Sequence, residues 1–284
     1  MTVVRARVVL VHGIRTSATM WRAQLEALAR YDVDAVAIDL PGHGRRMGEP
    51  FTLDSAIDAI ADALRAVGPD GSDGPVGPVS PVGPVGPDGP DAPARPSPVP
   101  RLLVGLSLGG YLAIETAARH PELLDGLIAA SCGTRPRGVG LRGYLALAEA
   151  IGRLPDRGRA LNDGFVRLML SPAAARDVVA GGVALDVMQT TLTAVGTIDL
   201  EAALGAVRCP VWLVNGQLDH FRLEERRLAR AARDGRLVVV PGATHLVSLS
   251  RPEAFTAVVL DAVAELERRA ALGARTRRGS DSSA

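Results

Sequence analysis

The chain has 284 residues, a formal net charge of +1, 22% charged residues and 3% aromatics. That length holds one large α/β domain, with or without a small inserted one. Near-neutrality without a basic stripe, and few rings to stack on bases, argue against a nucleic-acid partner.

Val8–Val11 is a short β-branched run, the pattern of a buried parallel strand, and it ends in His12-Gly13-Ile14. A glycine just past a central strand lets the chain turn at the carboxyl edge of the sheet, where open α/β sheets bind ligands. The Ile14 N–H is placed to serve as an oxyanion donor, and His12 reads as a structural turn residue. Met20–Arg30 is an amphipathic helix with Trp21, Leu25 and Leu28 on one face. Asp34–Leu40 is the next strand, broken by Pro41-Gly42-His43-Gly44, in which His43 is structural. Thr52–Val67 is a helix capped by Thr52, with Ile57, Ile60 and Leu64 along one face.

Residues 68–100 differ in kind. Glycine recurs every third position at 68, 71, 74, 77, 83, 86 and 89, with Ser80 breaking the series. A collagen triple helix needs three chains in register and a longer, unbroken tract. The segment is therefore expected to be an extended, disordered Gly/Pro-rich insertion. Loop closure entropy grows only logarithmically with length, so such an insertion costs little stability.

Arg101–Leu106 is a strand, Leu108–Arg119 a helix, and Ser107 stands between them in Gly105-Leu106-Ser107-Leu108-Gly109. This is the nucleophile-elbow pattern: a turn so tight that glycines must flank the serine, presenting its hydroxyl above the sheet. The start of the following helix aims N–H groups at the same spot, so the Leu108 N–H is a second oxyanion donor. Leu124–Ala130 is another strand. Residues 134–200 break the alternation with four helical patterns, Leu141–Leu154, Arg159–Leu170, Ala173–Ala180 and Leu185–Val195, and are expected to form a helical cap. Tyr144, Phe165, Met169 and Met188 are its candidate substrate contacts, which favours a small-molecule substrate with an apolar portion.

Strands resume at Pro210–Asn215 and Leu237–Val240, separated by a helix at Glu224–Arg233. Asp219 follows the first of these strands and His245 the second. A serine hydroxyl is a poor nucleophile until a base takes its proton; neutral imidazole suits that task, and a carboxylate fixes its tautomer. Ser107, His245 and Asp219 are thus nucleophile, base and acid. His120 and His220 are weaker base candidates, Asp199 is a reserve acid at the wrong end of its strand, and Asp39 comes too early in the sheet. The closing helix is expected over Pro252–Ala270, and 273–284 as a disordered tail. The core is then 1–133 with 201–272, and the cap 134–200. Cys132 and Cys209 lack metal-ligand and redox spacing and are expected as buried free thiols, a single disulfide being the alternative. Without a metal-ligand cluster or a dinucleotide fingerprint, no metal and no cofactor are expected. With no recognisable signal peptide and no run approaching a membrane span, a soluble cytoplasmic monomer or homodimer is expected.

His12-Gly13, Asp39–Gly44, Gly105–Gly110, Gly216–Asp219 and Gly242–His245, with the chain order Ser, Asp, His, resemble the α/β-hydrolase superfamily, most of all its capped esterases and lactonases such as 3-oxoadipate enol-lactonases. The resemblance spans nearly the whole chain apart from 68–100 and the tail. It implies a mostly parallel sheet of about six strands with helices on both faces, and it implies ester, thioester or lactone hydrolysis through an acyl-enzyme. The first strand reaches His12-Gly13 too early for the superfamily's amino-terminal hairpin. Carbon–carbon bond hydrolysis, peptidase, perhydrolase, lyase and acyltransferase chemistry remain alternatives on the same residues. So do a silent ligand-binding relative and an interaction protein using 68–100.

Overall fold

The structure is a computed structural model and describes residues 4–67 and 99–281. The glycine period and nearly all of the expected insertion, 68–98, lie outside the described residues, as do 282–284.

Its elements in chain order are β1 (Ala6–Val11), α1 (Arg22–Ala29), β2 (Val33–Ile38), α2 (Leu53–Ala66), β3 (Arg101–Leu106), α3 (Leu108–Arg119) and β4 (Gly126–Ala130). There follow α4 (Gly138–Gly152), α5 (Arg159–Met169), α6 (Pro172–Ala180), α7 (Met188–Val195) and α8 (Leu200–Ala206). The chain closes with β5 (Val211–Gly216), α9 (Glu225–Ala231), β6 (Gly235–Val240), α10 (Val247–Ser250) and α11 (Pro252–Asp281).

The strands form one sheet in the order β2-β1-β3-β4-β5-β6, every neighbouring pair parallel. This is the architecture the resemblance implies, and no hairpin precedes β1 among the described residues. Alternation along the strands sorts the core into two layers. Val9, Val11, Leu103, Leu127 and Leu213 face α2, α3, α8 and α9. Val8, Leu10, Leu102, Val104 and Ile128 face α1 and α11, where Trp21 and Phe255 pack ring against ring. The central strands are covered on both faces, which is why consecutive apolar residues such as Val8–Val11 and Leu102–Val104 run through them.

Thr52 caps α2 through a reciprocal bond pair with Ser55. Two short helices, α8 and α10, were not expected from the sequence; Asp199 caps α8 through the Ala202 N–H, which takes it out of contention as a reserve acid. The closing helix runs past Ala270 to Asp281, correcting the expected disordered tail over 273–281. Ala, Leu and Arg are strong helix formers, and no proline stops the helix before 281. Cys132 and Cys209 are both free. Among the described residues no helix is long and apolar enough to cross a membrane.

Candidate active site

β1 departs to β2 on one side and adjoins β3 on the other, so the strand order reverses there and opens a crevice at the carboxyl ends of the strands. Val11 lies opposite Gly105 in register, which brings the turns after β1 and β3 together. At the far end Gly216 lies opposite Val240, setting the loops after β5 and β6 side by side. These two adjacencies assemble the site.

Ser107 carries φ 54° and ψ −113°, a strained backbone for a side-chain-bearing residue. The turn closes so tightly that a Cβ on Gly105 would stand 2.1 Å from the Gly109 oxygen, and one on Gly109 would stand 2.4 Å from the Val11 oxygen. His245 Nε2 lies 3.0 Å from Ser107 Oγ, and His245 Nδ1 lies 2.9 Å from Asp219 Oδ1. Asp219 Oδ1 also accepts the Phe221 N–H at 2.8 Å, so one oxygen both fixes its own loop and orients the imidazole. The Asp219 side chain is fully buried and that of His245 is 20% exposed. Burial would raise the Asp219 carboxyl, but the hydrogen bond and charge of His245 and the Phe221 N–H hold it below its ordinary value.

Ile14 and Leu108 line the cleft beside Ser107, and neither N–H has a hydrogen-bond partner among the described residues. The cleft measures about 810 Å³. Tyr144 of α4 and Met188 of α7 line it, with Leu141, Thr191 and Leu192 beside them. Phe165 and Met169 do not line it. Both sit on α5, where Phe165 is 53% exposed, so these two expected substrate contacts are corrected to outward-facing positions. Helical periodicity marks an apolar face without saying whether that face meets the cleft or solvent.

Three partners of His245 carry no spacing signal in the sequence. The Ser131 hydroxyl donates to the His245 carbonyl, and the Phe221 and His220 rings lie tilted against the imidazole with centroids 4.9 and 5.3 Å away. His220 Nε2 lies 2.9 Å from the Tyr144 hydroxyl, and burial with the neighbouring His245 holds His220 below its ordinary value against the pull of Asp219. His12 and His43 are structural, as expected. His12 Nε2 accepts the Leu40 N–H while Nδ1 donates to the Gly13 oxygen, and His43 Nδ1 donates to the Pro41 oxygen. Asp39 is occupied by the Ala18 and Arg45 N–H groups. His120 follows the last residue of α3, and its Nδ1 lies 3.7 Å from Glu122 Oε1. No cluster able to hold a metal ion occurs among the described residues.

Curated relatives match almost end to end. A carbamate hydrolase RutD (putative) of Caulobacter sp. strain K31 is 27% identical over 276 residues, 90% of each chain. A pimeloyl-[acyl-carrier protein] methyl ester esterase of Neisseria meningitidis is 28% identical over 277 residues, 90% of this chain and 93% of that one. The crystal structure of the enol-lactonase from Burkholderia xenovorans LB400 superposes with a TM-score of 0.59 at 23% identity over 90% of each chain. The family pattern described as the alpha/beta hydrolase family matches residues 8–258, and the chain belongs to that family.

Proposed function

We propose that the protein is a serine hydrolase that cleaves a carboxylic ester, thioester or lactone of a small, partly apolar metabolite through an acyl-enzyme. The observation that carries this reading is the continuous line of contacts from Ser107 Oγ to His245 Nε2 and from His245 Nδ1 to Asp219 Oδ1.

In this reading His245 takes the Ser107 proton as the oxygen attacks the substrate carbonyl. The negative charge that develops on the carbonyl oxygen falls to the Ile14 and Leu108 N–H groups, which have no other hydrogen-bond partner among the described residues and so remain available for it. The imidazolium then gives its proton to the departing alcohol, thiol or ring oxygen. Water repeats the sequence on the acyl-enzyme and releases the acid. Asp219 keeps Nδ1 protonated, so that Nε2 is the basic nitrogen, and stabilises the imidazolium.

Helices α4–α7 act as a cap whose Tyr144 and Met188 border the acyl or alcohol portion, with the core formed by 1–133 and 201–272. The relatives named for methyl ester and carbamate hydrolysis support cleavage of an acyl bond of this kind. Labelling with a fluorophosphonate probe, followed by intact mass, tests the reading. A single adduct on the wild type, absent in Ser107→Ala and much slowed in His245→Ala, is expected. A folded wild type that takes up neither this probe nor a smaller phosphonate overturns it in favour of a ligand-binding role.

A further inference from the structure

One wall of the cleft is charged. Arg135, Arg137 and Glu224 line it where the chain enters α4. Arg135 is held on both sides, by Glu224 and by Glu201 at 2.9 Å. Glu201 also receives Arg227 at 3.0 Å. Three guanidinium groups therefore share two carboxylates. Arg137 is left with the weakest share: its nearest approach to Glu201 is 3.7 Å, beyond hydrogen-bond reach, and its side chain is 54% exposed. No side-chain hydrogen bond is made by its guanidinium among the described residues. An exposed pair at that distance, with an acceptor already engaged twice, adds little to stability.

Its surroundings suit an anion. Glu224 is the sole acidic side chain lining the cleft among the described residues, and Arg135 neutralises it. Gly138 and Gly140 line the cleft as α4 begins, and the first turn of α4 has neither an acidic residue nor a side-chain cap. The positive end of a helix thus reinforces the guanidinium. Leu141, Met188, Leu192 and Val195 make other parts of the lining apolar.

We infer that Arg137 reads the substrate, and that the substrates are esters or thioesters whose apolar segment ends in a carboxylate or phosphate. The inference rests on the Ser107 hydrolase reading. The planar fork of an arginine pairs bidentately with either anion. The anion is carried by the acyl half, as a terminal carboxylate, or by the leaving half, as a phosphate on the alcohol or thiol.

Three esters of matched length separate the cases: a neutral one, one with a terminal carboxylate on the acyl half, and one with a phosphate on the leaving half. The measured quantity is the ratio of kcat/KM for each anionic ester to that for the neutral one. Wild type is expected to favour one anionic ester by about tenfold, the scale of one charge-assisted hydrogen bond. Arg137→Gln should collapse that ratio, mainly through KM, and Arg137→Lys should keep part of it. Raised salt should lower the ratio in the wild type and leave it unchanged in Arg137→Gln. A ratio near unity for both anionic esters in the wild type, or the same ratio in wild type and Arg137→Gln, overturns the inference. Fluorophosphonate labelling of the same preparations separates the two claims: labelled protein with a flat ratio sinks this inference alone, and unlabelled protein sinks the hydrolase reading with it.

Discussion

The Ser131 hydroxyl donates to the His245 carbonyl oxygen at 2.6 Å, tying the end of β4 to the loop that carries the imidazole. Ser131 is buried and holds φ 54°, the same positive φ as Ser107. A strained residue whose side chain bonds the backbone of the proposed base is a positioning device. Ser131→Ala removes the bond and keeps the strain. Ser131→Gly removes the bond and relieves the strain. Both should lower kcat/KM by about tenfold, the equivalent of one buried hydrogen bond. The glycine variant should melt at the higher temperature of the two. Equal melting temperatures would mean that the φ of Ser131 carries no strain.

The elbow glycines answer to sterics. A methyl group on Gly105 would meet the Gly109 oxygen at 2.1 Å, and both atoms belong to the tightest turn of the site. Gly105→Ala must move β3 against α3 and should cost about 3 kcal/mol or more. Gly143, inside α4, has nothing within 4 Å of the same methyl position. Gly143→Ala should stabilise by about 0.5–1 kcal/mol. Urea melts of the two variants check the contrast, and a harmless Gly105→Ala would contradict the close approach.

Much of this was legible in the sequence because each element carried more than one signal. β3, Ser107 and α3 are read from an apolar run, a glycine-flanked serine and a helical period that all agree. Asp219 and His245 are read from their places just past strands β5 and β6. What escaped depends on side-chain direction and on contacts remote in sequence. Phe165 and Met169 share the apolar pattern of α5 with Val166, yet only Val166 turns into the core. Ser131 meets His245 across 114 residues of chain, and nothing local marks a serine that will adopt positive φ. Residues 273–284 are rich in Gly, Arg and Ser, the composition of a tail, yet α11 continues through them to Asp281.

Acid should weaken the fold through His12. It is fully buried, and burial, with the neighbouring His43, lowers its imidazole to about 3 from an ordinary 6.5. Between those values the unfolded chain binds a proton that the folded chain refuses. Stability is therefore complete above 6.5 and falls as pH drops towards the folded value, by up to about 1.4 kcal/mol per pH unit for one proton. His43, also lowered by burial, adds to the same window. His12→Asn should flatten the slope of unfolding free energy between about pH 6 and pH 4, whatever it does to stability at neutrality. An unchanged slope would assign the acid lability to carboxylates instead.

Asp219→Asn tests the division of labour between geometry and charge. The amide has the same shape, but Asp219 Oδ1 serves both the Phe221 N–H and Nδ1, so an amide that turns its NH2 to Nδ1 gives up the Phe221 bond as well. It cannot supply the charge that favours the imidazolium, and its NH2 end, turned to Nδ1, would select the wrong tautomer of His245. The buried position offers no water to take over the role, since the Asp219 side chain is fully enclosed. kcat should fall by about 10³–10⁴, the cost of a wrong tautomer in a serine–histidine–carboxylate relay. KM should change far less, because Asp219 does not line the cleft. The fluorophosphonate labelling rate should fall in parallel with kcat, since in the proposed mechanism the same base serves Ser107 in both reactions. A variant that labels slowly yet turns over normally would show that hydrolysis does not pass through Ser107.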